Sequence, residues 1–369
     1  MNEGTTVWMD FNIMERFMVD VLVKAGVPVN DAKIVAEVLI AADKRGIDSH
    51  GFNRLKPIYY DRIKDGILNP VTNVEIVREG PTTAVLDGHN GMGHVISKMA
   101  MQMAIDKAKK LGMGMVAVRN STHYGIAGYY ALMAANQDMI GVTGTNARPS
   151  IAPTFGVENM LGTNPLTFAM PTDEEFPFFL DCATSVSQRG KIELYAREGK
   201  AVPKGWVIDE NGESKTDATE ILKDLVAEKA ALAPLGGIGE ETAGYKGYGY
   251  ATVVEILSAA LQGGSYMKML LGIENGKKVP YPLGHFFIAI DINAFIEPAE
   301  FKKTTGDILR ELRDSRKMPG QQRIYTAGEK EYLTWLEREH KGVPLNDALQ
   351  KEIKQLVQEC NITGYDFPF

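Results

Sequence analysis

The chain has 369 residues, a length that favours two or three domains at roughly 150 residues each. Its 40 Lys and Arg residues against 47 Asp and Glu residues give a net charge of −7, which argues against nucleic acid or an anionic membrane surface as the main partner. Two cysteines, the lack of a CxxC pair and the lack of an apolar run of about 18 residues exclude a disulfide framework, a zinc site built on such a pair and a membrane-spanning helix.

Amphipathic helices are predicted near the amino terminus. Segment 1–12 contains acidic side chains where a signal peptide needs basic and then apolar ones, so we expect a cytoplasmic protein. The apolar spacing that follows predicts one helix over 10–25, with Asp10 as its N-cap, and a second over 31–45, with Asn30 as its N-cap.

The middle of the chain is richer in glycine and β-branched residues. The pattern predicts strands over 82–88, 115–120, 139–146, 165–172, 176–183 and 284–295, and helices over 97–112, 126–138 and 249–264. Several strands follow one another directly, so we expect an α/β fold with a mixed sheet and not a purely parallel one. The polar and charged segment 197–230 is expected to be an exposed excursion.

Helical spacing with dense charge returns near the carboxy terminus, in segments 302–316, 329–341 and 346–360. We therefore expect residues 1–75 and 300–369 to pack together as one helical domain that provides dimer contacts. Residues 76–299 would form the cofactor and substrate domain with the mixed sheet, and a further division near 80–125 and 262–284 stays open.

A dinucleotide site of the Rossmann type is not predicted. Gly112, Gly114 and Ala117 match GxGxxA, but they follow a helix and open a strand, the reverse of the order that such a site needs. The pair Gly91 and Gly93 has the right order but lacks the third small residue. The chain also contains neither GxxxxGK[ST] nor HExxH, which argues against a P-loop nucleotidase and a zinc protease of that type.

The segment DSHGFNR places Asp48, Ser49, His50 and Arg54 within seven positions directly after a predicted helix. A histidine with a pKa near 6.5 can take or give a proton at neutral pH, and an arginine can hold a carboxylate through two parallel hydrogen bonds. The alternative interpretation is structural, with Asp48 or Ser49 as the N-cap of a following helix, and it does not exclude function.

Four further segments carry candidate site residues. They are the turn 120–125 around His123, the turn 161–165, the strand end 180–185, and the glycine-rich segment 244–249 that contains Lys246. The last is expected to be a loop that leads into a buried helix and binds an anion, since backbone N–H groups and a cation meet there. Each segment also has a purely structural interpretation as a turn or helix entry. His89, His94, His285 and His340 lack such neighbours and are interpreted as structural or surface residues.

Taken together, DSHGFNR, STHYG, GTNPL, LDCATS and GYKGYG, in this order along nearly the whole chain, resemble the malate/L-lactate dehydrogenase family, which is unrelated to Rossmann-type lactate dehydrogenase. That family also holds ureidoglycolate dehydrogenase, 2,3-diketogulonate reductase and Δ1-piperideine-2-carboxylate reductase. The resemblance implies a non-Rossmann α/β fold, a homodimer, and hydride transfer between NAD, or NADP, and a 2-hydroxy or 2-keto acid such as malate or L-lactate.

The resemblance also implies roles for individual residues. It places His50 on the proton donor or acceptor, Ser49 and Arg54 on substrate contacts, and His123 on a second site histidine that is the base in some members. It places cofactor contacts on Phe179, Leu180, Asp181, Cys182, Ala183, Thr184, Ser185, Tyr245, Lys246, Gly328, Glu329 and Lys330, and it implies no metal. We favour His50 as the main proton carrier because it is grouped with Ser49 and Arg54, and His123 stays the alternative.

Three alternatives stay open at this point. A reductase of an imino acid or of a sugar keto acid belongs to the same family. A metal-dependent hydrolase using Asp48, His50 and His123 belongs to another class, and it would be sensitive to chelators and indifferent to NADH. A non-catalytic binding protein is the third. The sequence identifies neither the side chain of the hydroxy acid nor the choice between NAD and NADP.

Overall fold

The structure is a computed structural model that describes residues 6–369. Its helices are α1 (Phe11–Lys24), α2 (Val29–Lys44), α3 (Asp61–Lys64), α4 (Gly93–Leu111), α5 (Gly128–Ala135), α6 (Arg189–Arg197), α7 (Ala218–Val226), α8 (Gly244–Ala259), α9 (Pro298–Asp314), α10 (Glu329–Arg338) and α11 (Asp347–Glu359). Its strands are β1 (Val7–Met9), β2 (Glu75–Glu79), β3 (Thr83–Asp87), β4 (Met113–Ser121), β5 (Met139–Thr145), β6 (Leu166–Met170), β7 (Phe178–Cys182), β8 (Val207–Asp209), β9 (Ala230–Leu232), β10 (Ile273–Glu274), β11 (Lys277–Lys278), β12 (Leu283–Asp291) and β13 (Val343–Leu345).

A seven-stranded sheet with the spatial order β2-β3-β4-β12-β5-β6-β7 forms the middle of the protein. β3 and β4 pair in parallel, and the other neighbours pair antiparallel. The expected mixed, non-Rossmann α/β fold is confirmed. β12 runs antiparallel to both β4 and β5, so β4 and β5 point the same way. β6 is antiparallel to β5, and β7 is antiparallel to β6, so β7 also points in that direction. The carboxyl ends of β4, β5 and β7 lie at one edge of the sheet, called here the site edge.

Alternate residues of β12 contact the two layers of helices. Phe287 and Ala289 are buried with side chains of α4 and α5 on one face. On the other face, α8 lies directly against the strand, because a Cβ on Gly284 would be 1.6 Å from the Ser258 carbonyl oxygen. The period of two along the strand, with apolar side chains on one face and a glycine on the other, therefore fixes both layers.

Residues from both ends of the chain share one apolar core. It contains side chains of α1, α2, the segment 52–68 and α11, with the rings of Phe17, Phe52 and Tyr59 at its centre. β1 pairs with β13, with Val7 opposite Leu345. α9 is outside this core and contacts the turn before β7, where the Arg310 guanidinium bonds to the Asp173 carboxylate at 2.9 Å.

Of the two N-caps predicted for the amino-terminal helices, one is confirmed and one is wrong. The Asp10 carboxylate accepts hydrogen bonds from the N–H groups of Asn12 and Ile13 at 2.9 and 3.1 Å, which confirms it as the N-cap of α1. The prediction for Asn30 is wrong, since α2 already begins at Val29 with Pro28 in the cap position. Proline has its φ fixed near −65°, which suits the chain as it enters a helix, but its ring offers no acceptor, so α2 begins without a side-chain cap.

The expectation of an exposed excursion over 197–230 agrees with most of its side chains but misses a small core. The segment forms α7, β8 and β9, and together with α6 it encloses a second small core that includes Val202, Val207, Ile221 and Leu232. Its average polarity hides this core, because the few apolar residues are spaced so that they point to one side. Among the described residues, no helix is long and apolar enough to cross a membrane.

Candidate active site

Residues 48–60 form tight turns where the sequence predicts either chemistry or a capped helix. Two 3-10 turns, Asp48–His50 and Phe52–Arg54, lead into a π-helix over Leu55–Tyr60. Neither Asp48 nor Ser49 caps a helix through its side chain, so the interpretation of these residues as an N-cap is wrong. The Asp48 carboxylate instead pairs with the Arg338 guanidinium of α10, with one N–O distance of 2.9 Å.

A buried carboxylate fixes this turn segment to α2. The Phe52 N–H donates to Asp43 Oδ2 at 2.8 Å, and a Cβ on Gly51 would lie 1.8 Å from Asp43 Oδ1. Only glycine therefore permits the approach that places His50 in the site. Burial raises the pKa of Asp43 well above its usual range. No short motif marks Asp43, and its sequence signal is an acidic residue within an apolar helical pattern.

The two predicted site histidines lie side by side although 73 positions separate them in the chain. The rings of His50 and His123 are stacked, with centroids 5.7 Å apart and planes 19° apart. Burial, together with the charge of Arg54, lowers the pKa of His50 to about 4. Burial, helped by His50 and Arg54, also lowers the pKa of His123 well below its usual range. Both imidazoles are therefore neutral at pH 7, as a proton acceptor must be.

Hydrogen bonds assign different nitrogens to the two imidazoles. Tyr59 Oη is 2.6 Å from His123 Nδ1, and the Gly125 N–H donates to the same nitrogen at 3.3 Å. Because a backbone N–H can only donate, Nδ1 of His123 is the acceptor and its proton is on Nε2. Ser49 Oγ is 2.8 Å from His50 Nδ1, and a hydroxyl can accept there as well as donate. His50 is thus free to keep Nε2 unprotonated, whereas His123 is not.

Arg54 lies next to this pair with most of its donors unused. Its Nε donates to the Ser49 carbonyl oxygen at 2.5 Å, and within residues 6–369 its guanidinium has no carboxylate partner within 4 Å. A cleft of about 1140 Å³ opens here, lined by Ser49 and Arg54 on one side and by Lys191 and Arg197 of α6 on the other. An unpaired guanidinium that faces a cleft is suited to binding an anionic ligand.

The other predicted histidines are not part of this pair. His94 and His285 are fully buried, and His285 stacks on Tyr124 with ring centroids 4.5 Å apart. His89 is an exposed ion-pair partner of Glu75, and His340 is exposed beside Glu339. Their interpretation as structural or surface residues agrees with these positions. Within the described residues, no group of three or more His, Cys, Asp or Glu side chains is placed to hold a metal ion.

Candidate cofactor residues of β7 form two groups. Near its start, the Phe179 N–H bonds to the Ala327 carbonyl oxygen at 3.2 Å, and Gly328 packs against Phe179, so the segment 328–330 adjoins the strand. Near its end, Ser185 lies at the site edge with its buried hydroxyl unpaired. The two groups therefore lie at opposite ends of β7.

Several of these candidate side chains already have partners inside the protein. Asp181 accepts from the Gly128 N–H and the Thr167 hydroxyl, at 2.8 and 2.9 Å. The Thr184 hydroxyl donates to the backbone of the turn 163–164, and Glu329 is buried in an ion pair with Arg323. Leu180 is 36% exposed, while Cys182, Ala183 and Lys330 have partly or fully accessible surface. Asp181, Thr184 and Glu329 are therefore available to a ligand mainly through their backbone.

The glycine-rich segment 244–249 is helical, and the expectation of a loop there is wrong. α8 begins at Gly244, because Gly244 and Gly247 allow its first turn to lie against the backbone of 235–239. Leu235 in that backbone donates its N–H to the Thr184 carbonyl oxygen at 2.8 Å, which links the helix start to the site edge. Tyr245 and Lys246 are exposed, and Lys246 has no ion pair within the described ranges.

A family model described as malate/L-lactate dehydrogenase matches residues 9–354. The malate dehydrogenase of Pyrococcus abyssi is 46% identical over 350 residues, which cover 95% of this chain and 94% of that relative. The L-sulfolactate dehydrogenase of Methanocaldococcus jannaschii is 38% identical over 353 residues, 96% of this chain and 97% of that relative. The crystal structure of malate dehydrogenase from Entamoeba histolytica has a TM-score of 0.94 and 47% identity, and covers 99% of this chain and 100% of that one.

Proposed function

The chain belongs to the malate/L-lactate dehydrogenase family and is a nicotinamide-dependent dehydrogenase of 2-hydroxy acids, and from this premise we propose that it interconverts malate and oxaloacetate. The observation that carries the proposal is the pair of neutral histidines, His50 and His123, beside the unpaired Arg54. We propose NAD as the cofactor, with NADP as the alternative. The proposed binding partner is the small-molecule acid substrate.

The chain offers a cofactor suitable surroundings at the site edge. Within residues 6–369 the buried hydroxyl of Ser185 has no hydrogen-bond partner. Lys246 is an exposed cation at a helix start, 5.8 Å from the centroid of the Tyr245 ring. Both fit a dinucleotide, which presents amide, hydroxyl and phosphate groups. When bound, the nicotinamide supplies the acceptor for the hydride from C2 of the acid. We propose that Phe179–Ser185, Tyr245–Lys246 and Gly328–Lys330 hold it, partly through their backbone.

We assign the proton transfer to His50. In malate oxidation, the proton of the substrate hydroxyl passes to Nε2 of His50, while Nδ1–H donates to Ser49 Oγ and holds the ring. His123 donates its Nε2–H to the same substrate oxygen and so stabilises the charge that develops there. In the reverse direction, a bound carboxylate beside Arg54 offsets the charge that lowers the pKa of His50, and the imidazole holds its proton more readily.

Arg54 binds and orients the carboxylate next to C2. We expect Arg54→Lys to raise KM for the acid and to change kcat much less, because an ammonium keeps the charge but loses the two-pronged contact. Steady-state kinetics with oxaloacetate test this expectation. A larger fall in kcat than rise in KM would show that Arg54 acts in the reaction step and not mainly in binding.

The proposed activity is tested with a matrix of acids and cofactors. Oxaloacetate, pyruvate, a sugar keto acid and a cyclic imine are each incubated with NADH and with NADPH, and absorbance at the nicotinamide band is followed. We expect the highest kcat/KM with oxaloacetate and NADH. A preference for the imine or sugar acid would replace malate by that substrate. Turnover of none, together with an activity that chelators abolish, would instead favour a hydrolase.

We also propose that the protein is a cytoplasmic homodimer and that residues 1–75 with 300–369 provide dimer contacts. The support for contacts in that region is the shared core of the two chain ends. The exposed apolar side chains Tyr250, Val253 and Ile256 of α8, which lies outside those two ranges, support association of two copies in general. We expect light scattering at micromolar concentration to give about twice the chain mass of 40.5 kDa. A monodisperse species near the mass of one chain would contradict the dimer.

A further inference from the structure

Two arginines beyond Arg54 lie near the histidine pair, and the proposed proton and hydride transfer uses neither. Arg62 of α3 is half-buried, and Arg148 follows β5 in an exposed turn. In the part of the chain that the structure describes, neither guanidinium has a carboxylate within 4 Å, and the Arg62 guanidinium lies over the ring of Tyr281, 4.7 Å from its centroid. Elsewhere, arginines such as Arg310, Arg313 and Arg338 are paired with acids.

The topology brings these arginines to the same place. His123 follows β4, Arg148 follows β5 and Tyr281 precedes β12, so all three lie at the site edge. The Tyr59 hydroxyl bonds to His123, and Arg62 lies over Tyr281, so two contacts tie the π-helix and α3 to that edge. The charges act on one another, since burial and the nearby Arg148 and Arg54 lower the pKa of Arg62.

We propose that Arg62 and Arg148 bind the second anionic group of the substrate and thereby select dianionic 2-hydroxy acids over monoanionic ones. This inference rests on the proposed dehydrogenase function. Arg54 suffices for the carboxylate next to C2, which every 2-hydroxy acid has. Within residues 6–369 the two guanidiniums have no acidic partner, they repel each other, and the half-buried Arg62 has lost part of its hydration. A carboxylate or sulfonate at the far end of the substrate offsets both effects. A methyl group at that position would leave the two cations unpaired.

The test compares two four-carbon keto acids that differ only at the far end. Oxaloacetate carries a carboxylate where 2-oxobutanoate carries a methyl group. Arg62→Gln and Arg148→Gln are measured with both acids, and Arg78→Gln, an exposed arginine on β2, is the matched control. We expect each site variant to lower kcat/KM for oxaloacetate about 10- to 100-fold, the loss typical of a charge-assisted contact, and to leave 2-oxobutanoate within about twofold.

Three results would overturn the inference while leaving the dehydrogenase function intact. The first is an equal loss of kcat/KM with both acids, which indicates a structural role. The second is an effect confined to KM for the cofactor, which assigns the arginines to its phosphates. The third is an unchanged kcat/KM with both acids. If the unaltered protein reduces neither acid, the proposed function fails instead. Calorimetric binding of succinate and butyrate then decides the inference alone: weaker succinate binding in the variants, with butyrate unchanged, supports it, and unchanged succinate binding overturns it.

Discussion

Replacing His50 by alanine is expected to lower kcat for malate oxidation by about 10²- to 10⁴-fold, the usual contribution of a positioned acid or base. The protein should stay folded, because His50 is only half-buried and the turn is anchored by Asp43 and Gly51. His340→Ala, at an exposed histidine that does not line the cleft, is the control.

The same variant should change the pH dependence. A base acts only when neutral, so kcat/KM for oxidation should fall as the pH drops through the pKa of His50, about 4 in the free protein. Titration of the acid itself affects all variants alike, so the difference between the profiles isolates the histidine. The acid limb should be absent in His50→Ala and present in Arg54→Lys.

His123→Ala separates the roles of the two histidines. We expect a lower rate with the acid limb retained, because His123 carries its proton on Nε2 and donates a hydrogen bond. A limb that vanishes only in His123→Ala would transfer the proton role to that residue. If neither change alters the rate in folded protein, the assignment of the reaction to this pair is wrong.

Replacing Lys246 by alanine is expected to weaken NADH binding about 10- to 150-fold, the equivalent of roughly 1.5–3 kcal/mol for a lost charge-assisted contact. In the free protein, Lys246 lies in the first turn of α8, where the positive end of the helix disfavours a cation by about 0.3–1 kcal/mol. A bound phosphate would reverse that repulsion. The fold should therefore be unaffected or slightly stabilised.

Two measurements on Lys246→Ala are needed together. Fluorescence titration gives the dissociation constant for NADH, and thermal unfolding without cofactor gives the stability. Lys277→Ala, a similarly exposed lysine in the β10–β11 hairpin, is the control. An unchanged dissociation constant would remove Lys246 from the cofactor site, and a lower unfolding temperature would give it a structural role instead.

The sequence predicts much of the fold because local rules determine it. Strands β3 to β7 and helices α4 and α5 lie where the apolar period places them, and Asp10 caps α1 as its side chain suggests. The errors have a common origin in contacts that the local pattern does not contain. The start of α8 depends on the backbone of 235–239, and the small core of α7, β8 and β9 depends on a few well-spaced apolar residues.

Some residues of the candidate site can likewise be predicted from local sequence, and others cannot. Short polar motifs contain His50, Arg54 and His123, whereas Tyr59 lies in no such motif. Its role comes from a bond to His123 across 64 positions, which no periodicity encodes. Arg62 likewise looks like an ordinary surface cation until the sheet topology places it over Tyr281.

The π-helix over Leu55–Tyr60 has a consequence for how this site can vary. A π-helical turn holds about one residue more than an α-helical turn, so the widened turn takes up that residue without rotating the chain on its two sides relative to each other. Tyr59, whose hydroxyl bonds to His123, lies within this widened turn. Deleting one residue there would therefore change the local setting of Tyr59 while the flanking elements keep their orientation.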